Sequence, residues 1–159
     1  MELVIRLATQ GDLDALVELR RAFAFEDPES SESTGRPEFE AECAAFLAEA
    51  ISSGRWQILV AELGSQIVAH VYVALIDKVP RPEHANAKLA YLTNVYTRPE
   101  LRGRGIGAQL IRRAQAAARE ADVELMIVWP ADGSIDFFKR QGFAVPDDAL
   151  IWDASQHGA

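Results

Sequence analysis

The chain has 159 residues, of which 49% are hydrophobic and 25% charged, and its formal net charge is −8. That length suits a single domain over residues 1–159 with a sizeable core, and an acidic surface disfavours nucleic acid, whose phosphates need a basic face. No apolar run reaches the roughly 20 residues that span a bilayer, and the acid-bearing start is not a secretory pattern. We therefore expect no membrane partner and a cytoplasmic location.

Cys43 is the single cysteine and the three histidines, His70, His84 and His157, are scattered. Neither a disulfide nor a metal-ligand spacing is present, so no metal is expected.

In chain order, Leu3–Leu7 alternates as a short strand. A helix begins at Thr9 or Gln10, with Asp12 and Asp14 in its first turn and Leu13, Leu16, Val17 and Leu19 at helical spacing. Residues 26–36 are acidic, Ser-rich and carry Pro28 and Gly35, which predicts a mobile loop or lid. A second helix is expected from Pro37 to about Ser52, burying Phe39, Cys43, Phe46, Leu47 and Ala50. Trp56–Leu63 and Gln66–Ile76 then form a hairpin across Gly64-Ser65.

The loop from Asp77 to Ala87 holds Pro80 and Pro82 and leads into a strand, Lys88–Thr97. A helix follows from Ile106 to about Arg119. The apolar run Leu125–Trp129 predicts a strand covered on both faces, stopped by Pro130. Asp132 is the expected cap of a short helix to about Gln141, with Gly142 as its C′ glycine, and Leu150–Trp152 is a candidate last strand.

Charge is unevenly spread. Residues 26–42 hold seven acids (Glu26, Asp27, Glu29, Glu32, Glu38, Glu40 and Glu42) against Arg36, whereas residues 97–119 hold six arginines against Glu100. One region could attract an anionic ligand and the other a cationic one; solvated helix faces of opposite sign are the plainer reading of the acidic stretch.

The run Arg102-Gly103-Arg104-Gly105-Ile106-Gly107-Ala108 lies between the Lys88–Thr97 strand and the next helix. Glycines there let the backbone approach a ligand, and the helix start adds free amides and a positive dipole end, a natural phosphate cradle. Its letters also spell the dinucleotide pattern G-x-G-x-x-A. That reading fails on context: about 90 residues precede it, Pro99-Glu100-Leu101 lengthens the turn, and the next strand ends in Trp129-Pro130 without a ribose-binding acid. A Walker loop fails because no Gly-Lys-Ser/Thr follows.

The motif, preceded by Leu92-Thr93-Asn94-Val95-Tyr96-Thr97-Arg98-Pro99, resembles the Arg/Gln-x-x-Gly-x-Gly/Ala signature of the GCN5-related N-acetyltransferase (GNAT) superfamily. Phe137-Phe138-Lys139-Arg140-Gln141-Gly142-Phe143 matches its second landmark, aromatic-aromatic-x-x-x-Gly-Phe. The resemblance spans essentially the whole chain. It implies an α/β (α+β) fold, a largely antiparallel twisted sheet flanked by about four helices, with a parallel junction where acetyl-coenzyme A enters as cosubstrate.

By that resemblance Val95, Tyr96 and Thr97 offer backbone groups to the pantetheine arm, and the Val95 amide polarises the thioester carbonyl. Amides from Arg102, Gly103, Arg104, Gly105, Ile106, Gly107 and Ala108 hold the pyrophosphate, while Ser134 and Phe138 touch the cofactor. Many family members carry a tyrosine where this chain has Phe138, which cannot protonate a thiolate. Water, Tyr96, Tyr72 and Tyr91 are the remaining proton sources, Tyr96 standing nearest the cofactor strand. We expect Tyr72 and Tyr91 to pack with exposed hydroxyls.

Candidate bases are Glu26, Asp27, Glu83 and His84; Asn94 sits on the right strand but cannot take a proton. Asn94, Asp27 and Tyr72 are candidates for acceptor binding and Glu26 for either role. His70 reads as a satisfied core histidine and Cys43 as buried filler. The implied activity is direct acetyl transfer, in a ternary complex, to the primary amine of a small molecule, with polycations such as aminoglycosides and polyamines among the candidates. Peptide or protein N-termini are the alternative acceptors, and a coenzyme A-binding sensor without catalysis is the alternative class. Family members are often homodimers, which leaves that assembly open here.

Overall fold

The computed structural model describes residues 1–26 and 37–156. Asp27, most of the expected acidic lid and His157 lie outside the described residues. By their contacts the residues form two compact units, Met1–Trp129 and Pro130–Ala159.

The first unit carries β1 (Leu3–Leu7), α1 (Leu13–Ala24), α2 (Phe39–Ser53), β2 (Trp56–Leu63), β3 (Gln66–Asp77), β4 (Lys88–Thr97), α3 (Ile106–Glu120) and β5 (Val123–Val128). The strands form one sheet in the order β1-β2-β3-β4-β5. All neighbours are antiparallel except β4 and β5, which run parallel with α3 as their crossover. This is the mixed sheet that the resemblance implies.

Strand alternation divides the core into two layers. Ile58, Val60, Tyr72 and Tyr96 meet Leu16 and Leu19 of α1 and Leu47 and Ala50 of α2 on one face. Leu59, Ala61, Val71 and Val73 point to the other. The amphipathic α3, burying Ile106, Leu110, Ile111 and Ala114 at helical spacing, packs on the sheet. Leu16, Leu19 and Leu47 are fully buried, and each such side chain stabilises the fold by about 1.5–3 kcal/mol.

Asp12 joins the start of α1 to the sheet edge. Its carboxylate accepts two hydrogen bonds from Arg6, at 2.8 and 2.9 Å, and one from the Thr9 amide at 2.7 Å. Arg6 also donates to Glu62 on β2 at 2.8 Å. The guanidinium holds the Asp12 carboxyl far below the usual carboxylate range, against the opposing cost of burial.

Several local expectations need correction. A single 3-10 turn, Gln10–Asp12, precedes α1. Pro37 and Glu38 lie in a turn, and α2 starts at Phe39; Phe46 is exposed rather than buried, its ring edge-on to Trp56. The last strand starts at Val123 and ends at Val128. It lies at the sheet edge with Leu125 exposed, so its apolar run is not covered on both faces.

The second unit contains α4 (Ile135–Arg140), whose N-cap is Ser134 rather than Asp132. Gly142, at φ 89°, does end this helix. Leu150–Trp152 forms no strand and those side chains are exposed.

Candidate active site

The parallel pairing of β4 with β5 stops at Leu92↔Val128. Strand β4 continues through Thr97, so Thr93–Thr97 present one edge that β5 does not cover. On the other edge the register with β3 slips: His70 faces Tyr96, whereas Tyr72 faces Thr93. Asn94 and Val95 have no partner residue in that register. The extra residue is a β-bulge, and Asn94 takes φ 50°, a left-handed conformation that asparagine tolerates better than most side chains. Val95, Tyr96 and Thr97 thus lie where two neighbouring strands part.

Beyond Thr97, Pro99–Leu101 makes a 3-10 turn and the glycine loop follows. Gly103 and Gly105 have φ values of 75° and 76°, and a Cβ at either would meet nothing within 4 Å. Glycine is needed there for conformation, and the space beside it is open. Gly105 is the N-cap of α3, a 15-residue helix with no side-chain cap and no acidic residue in its first turn. The early amides of that helix, from Ile106, Gly107 and Ala108, lack intrahelical acceptors and carry the positive dipole end. Open space beside glycines and uncapped amides fit a pyrophosphate. Arg104 is exposed on the same loop.

The Arg102 side chain turns back toward the strand. Its Nε donates to the Thr97 carbonyl at 2.9 Å, one terminal nitrogen contacts both Glu26 carboxylate oxygens at 2.7 Å, and the guanidinium covers the Tyr96 ring at 5.5 Å. Burial, then the neighbouring Glu26 carboxylate, raises the Tyr96 hydroxyl above the usual phenol range. The fold therefore gathers three candidate residues, Glu26, Tyr96 and Arg102, that lie up to 76 positions apart.

His70 and Tyr72 occupy the same sheet face, with ring centroids 4.7 Å apart, and Tyr96 stacks 5.8 Å from His70. His70 is fully buried and its Nδ1 lies 2.7 Å from the Asn94 carbonyl oxygen. A carbonyl only accepts, so Nδ1 carries the proton and Nε2 is bare. Nε2 and the Tyr72 hydroxyl are both buried without partners among the described residues. His70 is thus half satisfied, and the exposed hydroxyl expected of Tyr72 is instead buried. Desolvation holds His70 down to about 4 and raises the Tyr72 hydroxyl well above the phenol range.

Cys43 is half-buried against the same cluster, and desolvation raises its thiol, the opposite of an activated nucleophile. His84 bonds Asp122 at 2.7 Å, close to Glu124 and Arg81. That cluster stands at the Lys88 end of β4, about 23 Å along the strand from Val95 at the usual rise. His84 and Glu83 are therefore not brought to the bulge. Tyr91 packs edge-on to Trp129 at 5.3 Å. Ser134 and Phe138 belong to the second unit, where Ser134 Oγ bonds the Ala131 carbonyl and Phe138 is buried between Phe137 and Phe143.

The bulge at Asn94 and the Arg102–Glu26 pair were not foreseen in the sequence. An asparagine inside a β-branched and aromatic strand was the only available signal of the first.

The acetyltransferase (GNAT) family model matches residues 14–143. Among solved structures, the chain is similar to a predicted acetyltransferase with acetyl-CoA from Clostridium acetobutylicum, at 22% identity and a TM-score of 0.79, covering 99% of this chain and 100% of that one. It is also similar to glucosamine-6-phosphate N-acetyltransferase from Arabidopsis thaliana, at 16% identity and a TM-score of 0.73, covering 97% and 99%. A GCN5-related N-acetyltransferase from Ralstonia eutropha has 22% identity and a TM-score of 0.70, covering 96% and 99%. No curated protein matches the chain.

Proposed function

The chain belongs to the acetyltransferase (GNAT) family, and we propose that it transfers acetyl from acetyl-coenzyme A to the primary amine of a small molecule, by direct attack in a ternary complex. The observation that carries the reading is the parting of β4 from β5 after Leu92, with a bulge at Asn94 and an uncapped helix N-terminus just beyond. Acetyl-coenzyme A supplies the activated thioester.

The residues divide the work as follows. Amides from Gly103 to Ala108 hold the pyrophosphate at the start of α3; the Arg102 amide, expected among them, is instead taken by the Pro99 carbonyl at 3.2 Å. The β4 edge at Val95, Tyr96 and Thr97 lines up the pantetheine arm through backbone groups. The Val95 amide donates to the carbonyl oxygen as negative charge develops there. Glu26 takes the proton of the incoming amine, and Tyr96 Oη, whose raised pKa keeps it protonated, returns one to the departing sulfur. Phe138 stands where a tyrosine hydroxyl is common, so Tyr96 is the remaining nearby donor.

Asn94 and Asp27 are assigned to the acceptor; Tyr72, whose hydroxyl is buried in the core cluster, is not. The excess of acids over residues 26–42 favours a cationic amine. The Arabidopsis protein's name supports a small-molecule acceptor over a peptide, although that acceptor carries a phosphate. Phe138 favours the second reading, a coenzyme A-binding sensor.

A panel of polyamines, aminoglycosides, amino sugars and peptides, assayed by release of coenzyme A thiol, tests the proposal. Turnover with a small amine supports it. Acetyl-coenzyme A binding without turnover across the panel favours the sensor, and no binding refutes both.

A further inference from the structure

We infer that His70 is a positioning residue whose Nδ1–H clamps the Asn94 carbonyl and thereby aims the Val95 amide at the uncovered edge of β4. The inference rests on the proposed use of that amide to polarise the thioester.

The geometry is direct. Asn94 and Val95 share one peptide unit, and no described peptide bond is cis. In a trans peptide the carbonyl and the following N–H point in opposite directions. His70 lies on β3 and holds the Asn94 oxygen at 2.7 Å. The Val95 N–H then points away from the His70 ring, and Val95 is paired in neither the β3 nor the β5 register, which leaves that amide at the edge uncovered after Leu92↔Val128.

The clamp has a reason to exist. A non-glycine residue at φ 50° inside a strand is held there by its surroundings, because two residues of β4 stand between the pairs His70↔Tyr96 and Tyr72↔Thr93 where β3 has one. Rotation of the peptide between Asn94 and Val95 would swing the Val95 N–H away from its present direction. His70 opposes this from a fixed position, stacked between Tyr72 and Tyr96 and fully buried. Its bare Nε2 has no described partner that could draw the proton from Nδ1.

The test has a ligand-free arm and a binding arm. In the wild-type protein, ring-nitrogen NMR of labelled histidine should show His70 protonated at Nδ1. His70→Asn places an amide nitrogen where Nδ1 stands, whereas His70→Leu removes the donor. In His70→Leu the Val95 amide signal should move; in His70→Asn it should stay close to wild type. Calorimetry with acetyl-coenzyme A and with coenzyme A isolates the thioester contact, because the two ligands share the phosphates. His70→Leu should lose about fivefold in preference for the acetylated ligand over coenzyme A, and His70→Asn should restore that preference. An Nε2-protonated His70 would overturn the inference, as would an unmoved Val95 amide or an equal loss of both ligands in His70→Leu. If the wild type binds neither ligand, the proposed function fails while the tautomer and the amide signal still decide the clamp. The tautomer is read on the wild type, so a decision does not depend on any variant folding.

Discussion

The Phe143 amide donates to the Phe138 carbonyl at 3.1 Å while the two rings meet nearly edge-on, 5.6 Å apart. The Gly142 amide bonds the Lys139 carbonyl at 3.0 Å in the same turn. Together these are the paired bonds and hydrophobic contact of a Schellman stop. The landmark Phe-x-x-x-Gly-Phe is therefore a helix terminator: the spacing brings its outer aromatics into edge-on contact and requires a left-handed residue between them.

Gly142→Ala should accordingly destabilise by roughly 1–2 kcal/mol, the cost of a side chain in the left-handed region. A Cβ at this position meets nothing within 4 Å, so strain is the whole penalty. Gly142→Asn should cost less than Gly142→Ala, because asparagine accepts that conformation. Denaturant titration of the three proteins checks the order; a larger loss for asparagine than alanine contradicts the argument.

A pH dependence follows from His70. Its folded-state pKa is about 4, below the ordinary histidine value of roughly 6.5. The unfolded chain thus binds a proton that the folded one refuses. The stabilisation is complete above about pH 6.5 and is lost as pH falls toward 4, by roughly 3 kcal/mol over that window. Asp12 adds a further loss below pH 4, since its folded carboxyl is depressed by Arg6. Urea midpoints at pH 7 and pH 4.5 should differ less in His70→Asn than in wild type. Parallel pH profiles would remove His70 from the account.

Gly105 tests the phosphate cradle. Asparagine there can keep φ near 76° but fills the open space beside the loop. Gly105→Asn should leave thermal stability within a few degrees of wild type and weaken acetyl-coenzyme A at least tenfold. Gly54, left-handed at the end of α2 and equally open, is the control. Gly54→Asn should leave the affinity unchanged. Equal affinities for Gly105→Asn and wild type, measured by calorimetry, would place the anion elsewhere.

What could be read ahead of the structure follows from where one-dimensional signals are strong. Gly64-Ser65, Pro99 and Gly142 punctuate the chain through backbone restrictions that act locally, so the strands and helices around them were legible. The run Leu125–Trp129 misled because composition reports apolarity and not which neighbours arrive: β5 closes the sheet edge and Leu125 stays exposed. The Asn94 bulge depends on a histidine 24 residues away, and Glu26 meets Arg102 only through the assembled fold. Neither pairing has a local signature.

Glu26 separates donor binding from chemistry by the sign of its effect. Its carboxylate lies 2.7 Å from Arg102, next to the loop assigned to the pyrophosphate. Glu26→Gln removes a negative charge there and releases Arg102 from its ion pair. Acetyl-coenzyme A should then bind about two- to fivefold more tightly, an effect of partly screened charges that fades with added salt. If Glu26 also receives the amine proton, turnover with a responsive amine should fall by about 10²–10⁴-fold in the same variant. Glu26→Asp keeps the charge and should recover part of the rate without the tighter donor binding. Calorimetry at two salt concentrations and thiol release at saturating donor measure the two effects independently. Tighter binding with unchanged turnover would confine Glu26 to the electrostatics of the cofactor loop, and weaker binding would mean that the Arg102 ion pair shapes the loop instead of opposing the phosphate.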